Sequence, residues 1–96
     1  MLNSKQRAFL RKQGHTLDPI FQVGKGGVGE DMAVGISAAL EARELIKVRV
    51  LDNSGYSARE AAEELARATD SDVVSCVGYT FILYKESEKK KRIILP

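Results

Sequence analysis

Ile20-Phe21-Gln22-Val23-Gly24-Lys25-Gly26-Gly27-Val28-Gly29 is the stretch on which the fold turns. Pro19 fixes the entry, and the apolar run from Ile20 to Val23 reads as a short strand. Glycine reaches positive φ and lets a ligand approach the backbone, so Gly24 to Gly29 reads as a tight loop. From Glu30 to Arg43, Met32, Ile36, Leu40 and the neighbouring alanines recur at helical spacing. Glu30 and Asp31 in the first turn suit the positive end of the helix dipole. Leu45 to Leu51 follows, alternating apolar with basic from Ile46 to Val50, which predicts a strand with one buried face and with Lys47 and Arg49 on the other. The unit is strand, glycine loop, helix, strand.

Upstream, Ser4 is the expected N-cap of a first helix that runs from Lys5 to about Gln13 and is stopped by Gly14. Leu2, Gln6, Phe9, Leu10 and Gln13 fall on one side, while Lys5, Arg7, Arg11 and Lys12 fill the opposite arc without an acid among them. Downstream, Asp52 to Gly55 is a turn cluster. Ser57 and Glu60 stand at capping-box spacing and open a third helix to about Thr69, with Ala58, Ala61, Ala62, Leu65 and Ala68 as its buried stripe. Val73 to Val77 and Thr80 to Tyr84 read as strands joined by Gly78-Tyr79, which suits a type II′ hairpin. Lys85 to Arg92 is a charged stretch, and Ile93-Ile94-Leu95 is expected to return as a short edge segment. The order α-β-α-β-α-β-β predicts an α/β fold. The whole of 1–96 is expected to form a single compact domain, a mixed four-stranded sheet packed with helices, with room for flexibility in the basic stretch 86–92.

The net charge of +2 conceals an asymmetry. Residues 1–28 hold five Lys/Arg against one acid, residues 29–75 five against ten, and residues 76–96 five against two. Basic ends around an acidic middle make a polarised surface suited to a polyanion on one side. A single cysteine, Cys76, allows no internal disulfide, and no apolar stretch is long enough to cross a bilayer. With no signal-peptide pattern either, a cytoplasmic protein is expected.

Catalysis has little to work with. His15 and Cys76 are the only residues of their types, and no carboxylate pair has a defensible spacing, so neither an enzyme, a metal site nor a cofactor is expected. Lys25 to Gly29 looks like the start of the phosphate loop of ParA/MinD-type ATPases, but Glu30 and Asp31 stand where that loop needs Lys and Ser/Thr, and they would repel a triphosphate. What remains is a binding module. Gly24-Lys25-Gly26-Gly27 is a G-x-x-G loop of the kind KH domains clamp on a nucleic-acid backbone, with a cationic helix before it and Lys47 and Arg49 after it.

At larger scale the residues resemble a known family. His15-x-Leu17-x-Pro19-Ile20, Val23-Gly24-Lys25-Gly26-Gly27-Val28 and Ala39-Leu40-Glu41-x-x-Glu44-Leu45-Ile46-Lys47-Val48 resemble the YhbY-like proteins. These are bacterial stand-alone forms of the CRM (chloroplast RNA splicing and ribosome maturation) domain. Val77-Gly78-x-Thr80-x-x-Leu83-Tyr84 and Ile94-Leu95-Pro96 match as well, and the likeness to the YqeI-type members is close. Gly14 departs from the pattern, which has Ala before the His, and is expected to shorten the first helix.

The resemblance implies a fold similar to the C-terminal domain of translation initiation factor three. It implies RNA binding, with large-subunit ribosomal RNA or its precursor and ribosomal particles as partners in 50S maturation. Separately, a monomer away from membranes is expected. Carried over by position, the site is Gly24, Lys25, Gly26 and Gly27, supported by Lys5, Arg11, Lys12, Arg43 and Lys47. The competing expectation is a protein-interaction module on the ribosome or an assembly factor, using the acidic third helix with Glu60, Glu63 and Glu64.

Overall fold

Two faces of one sheet organise the chain. The computed structural model describes residues 2–96. β1 (Phe21–Val23) runs parallel to β2 (Leu45–Val50), and β2 pairs antiparallel with β4 (Thr80–Tyr84). β4 pairs antiparallel with β3 (Asp72–Val77), so the strand order is β1-β2-β4-β3. The parallel pair is closed by α2 (Glu30–Arg43), whose predicted limits hold at both ends. A 3-10 turn (Asp52–Ser54) and α3 (Ala58–Thr69) connect β2 to β3, and α1 (Ser4–His15) precedes them all.

Period-2 alternation divides the core. Ile46, Val48 and Val50 of β2 and Phe81 and Leu83 of β4 face α2 and α3, where Ile36, Leu40, Ala61, Ala62 and Leu65 complete the cluster. Leu45, Ile82 and Tyr84 point to the other face and pack with Leu2 and Leu10 under α1. Lys47 and Arg49 share that second face, as the alternation predicts, and so the α1 side of the sheet is basic as well as apolar. Gly78, at φ +59°, opens the hairpin turn while Tyr79 keeps negative φ, in agreement with a II′ turn.

Several local expectations are corrected. Asn3, not Ser4, caps α1: its side chain accepts from the Gln6 N–H at 2.8 Å, and Gln6 Oε1 accepts from the Asn3 N–H at 3.1 Å. Gly14 does not stop or shorten α1, which continues to His15. A Cβ at Gly14 would stand 2.6 Å from Ile82 Cδ1, so this glycine lets the helix lie close on β4. Arg7 leaves the cationic arc and is half-buried, and its buried Nε finds no partner among the described residues. On α3, Ala68 is exposed and Thr69 takes the buried position, donating its hydroxyl to the Leu65 carbonyl at 2.7 Å. Ile93 and Leu95 return to the α1 core without forming a strand.

The basic stretch after β4 is fastened by two carboxylates of α2. Glu44 is fully buried at the helix C-cap with φ 67°, an unusual conformation for a residue with a side chain. It accepts the backbone N–H groups of Ser87 (2.8 Å), Arg92 and Ile93 (2.7 Å). Glu41 accepts the Ser87 hydroxyl and the N–H groups of Glu88 and Lys89. Burial alone would favour the neutral acid at Glu44, but the three donors outweigh it and its pKa lies below the ordinary value. At Glu41 the Ser87 hydroxyl leads the same downward shift. These bonds hold the backbone of 87–93 against α2.

Candidate nucleic-acid interface

The glycine loop begins where β1 ends. Val23 lies opposite Val50, and the Leu51 N–H donates to the Val23 carbonyl at 2.9 Å, which fixes the loop at the far end of β2. The Gly27 N–H donates to the Gly24 carbonyl at 2.9 Å, closing Gly24 to Gly27 into a turn. Gly27 has φ +71°, and a Cβ there would come within 3.1 Å of the Tyr56 ring, so its glycine serves the fold. Gly26 is different. It is exposed, its φ is not left-handed, and nothing lies within 4 Å of where a Cβ would stand. Lys25 is exposed at the tip, and the amides of Lys25 and Gly26 donate to no described residue.

The second component is a groove between α1 and the sheet. It encloses about 820 Å³ and is lined by Arg11, Lys12, His15 and Lys47 over a floor that includes Thr80 and Ile82. No carboxylate lines it. The Lys47 ammonium donates to the His15 carbonyl at 3.2 Å, which neutralises the negative end of α1 and fixes the cation at the groove wall. Toward the glycine loop the floor continues as a row across all four strands. Gln22 opposes Arg49, Arg49 opposes Thr80, and Thr80 opposes Val77. Arg49 and Val77 are exposed there, beyond the cover that α1 gives to Ile82 and Tyr84.

The chain matches the CRS1/YhbY (CRM) domain over residues 2–85. It belongs to that family. The CRM chain is 52% identical to the Probable RNA-binding protein YqeI of Bacillus subtilis, with all of both chains covered. It is 32% identical to an RNA-binding protein of Haemophilus influenzae, covering 94% of this chain and 91% of that one. A hypothetical protein of Staphylococcus aureus, solved in solution, has the same fold at a TM-score of 0.79 and 45% identity, again over all of both chains.

The expected site residues of this CRM domain fall into four places. Arg11, Lys12 and Lys47 come together in the groove. Gly24 to Gly27, with Lys25, form the loop at one end of the sheet. Arg43 sits at the opposite end of α2, about 20 Å along the helix axis from the loop. It shares a shallow hollow there with Arg92 and Gln13. Lys5 is exposed in the first turn of α1, away from the groove lining. Arg49 and Tyr79 were not among the expected site residues. The alternation of β2 already put Arg49 beside Lys47, whereas only the paired register brings Tyr79 to Arg49. Among the described residues no helix is long and apolar enough to span a membrane, and no cluster of His, Cys, Asp or Glu could hold a metal ion.

Proposed function

We propose that this protein binds RNA through the Gly24–Gly27 loop and the adjoining basic groove, and that its target is large-subunit ribosomal RNA or its precursor during 50S maturation. The observation that carries the reading is the groove itself, which gathers Arg11, Lys12 and Lys47 without a single lining carboxylate. Such a channel attracts a polyanion at any sequence, and the exposed loop amides fix its register on the backbone. The names of relatives in Bacillus subtilis and Haemophilus influenzae support RNA as the polyanion. In this account 1–96 acts as one monomeric domain in the cytoplasm, associates with ribosomal particles and performs no chemical step. Lys25 and the free amides of Lys25 and Gly26 hold phosphates, while Gly27's amide is committed to the turn. Lys47 and the second half of α1 extend the contact; Lys5 and Arg43 are peripheral.

Crosslinking the protein in cells and sequencing the attached RNA tests this. Enrichment of large-subunit ribosomal RNA precursor is the expected result. Absence of any RNA enrichment would overturn the proposal, and enrichment of unrelated RNA would remove its ribosomal part.

A further inference from the structure

Tyr79 is a large aromatic residue left 62% exposed, and the fold holds it in place. It occupies the second position of the β3–β4 turn, whose backbone is tied down when the Val50 N–H donates to the Tyr79 carbonyl at 2.7 Å. Tyr79 shares a hollow with Arg49, Leu51 and Asn53. Leu51 is also the residue nearest Gly24, its Cδ1 standing 3.8 Å from where a Cβ would lie. Tyr79 therefore shares one hollow with Leu51, the neighbour of the glycine loop, and with Arg49 of the uncovered row Gln22–Arg49–Thr80–Val77. Asp52 is the one carboxylate in that hollow, and Arg49 lines it too.

A basic track with an aromatic ring beside it is the arrangement that selects single strands. Phosphates of any strand meet the cations, but only an unpaired base offers a free π-face to a side chain. The geometry points to Tyr79 as a stacking platform for one base of single-stranded RNA, whose phosphates pass from the glycine loop to Arg49 and Lys47. This inference rests on the RNA-binding function proposed above, and it specifies the form of RNA that the site takes.

The test uses the full chain and a fluorescently labelled single-stranded RNA of about twelve nucleotides, compared with the same strand annealed to its complement. Tyr79→Ala removes no core contact, so its melting temperature should match the wild type. Its affinity for the single strand should fall about 5- to 150-fold, with the salt dependence unchanged. Tyr79→Phe keeps the ring and should bind close to wild type, and the duplex should be held no less well by Tyr79→Ala than by wild type. Unchanged single-strand affinity in Tyr79→Ala, or an equal loss on the duplex, would overturn the stacking role while leaving RNA binding intact. A wild-type protein that binds neither RNA would overturn both.

Discussion

The two middle glycines of the loop are predicted to separate folding from binding. At Gly27 an alanine must take φ +71°, which costs about 1–2 kcal/mol for an L-residue. Stiffening the unfolded chain returns about 0.4–1 kcal/mol. The Tyr56 ring, 3.1 Å from the new methyl, must also move by a few tenths of an ångström. The net loss is about 1 kcal/mol, or about 4–8 °C in melting temperature for a domain of this size. Gly26→Ala carries neither penalty, because its φ is ordinary and its surroundings are open. It should melt at or slightly above the wild-type temperature. Thermal melts followed by circular dichroism decide between the two, and RNA titrations at fixed salt follow on the folded variants. A Gly26→Ala protein with full stability and weakened RNA binding would assign that glycine to the ligand. Equal destabilisation by both substitutions would refute the division, and full RNA affinity in Gly26→Ala would remove close backbone approach at that position.

Three further outcomes follow from the same geometry. Lys47→Ala should weaken RNA binding similarly across sequences and lower the salt slope by about 0.7, one phosphate on a single strand; an unchanged slope would exclude the contact. Glu44→Gln leaves three backbone donors facing a neutral amide and should cost about 3 kcal/mol in urea unfolding, whereas a loss within error would show that the clasp is dispensable. Glu41 and Glu44 titrate lower folded than unfolded, so their stabilisation is full above the ordinary value of 4.5 and is lost as pH falls through the folded values. Acid titration of the wild type should show this loss, and Glu44→Gln should show a shallower one.

Much of the fold was legible because its signals are local. Both ends of α2, the Ser57–Glu60 capping box and the Gly78-Tyr79 turn each lie within a few residues of sequence, and each agrees with the structure. Gly14 was misread for the opposite reason. As a helix stop it is a local signal, but its role is set by Ile82 on a distant strand. Glu44 reads in sequence as one more acid near a helix end, and only the return of residues 87–93 makes it a buried acceptor of three N–H groups. The candidate site divides in the same way. The loop and the alternation of Lys47 with Arg49 were visible, whereas the groove depends on α1 lying across β4, and the position of Tyr79 depends on the strand order.

In the proposed function one continuous face, from the glycine loop to α1, carries the RNA. Amide chemical-shift mapping of the isotope-labelled protein, titrated with a single-stranded fragment of large-subunit ribosomal RNA, tests this most directly. The largest shifts are expected at Lys25, Gly26, Arg49, Tyr79 and Thr80 and along the last turns of α1, with Glu63 and Glu64 on α3 unmoved. Shifts centred on α3, or none at saturating RNA, would contradict it.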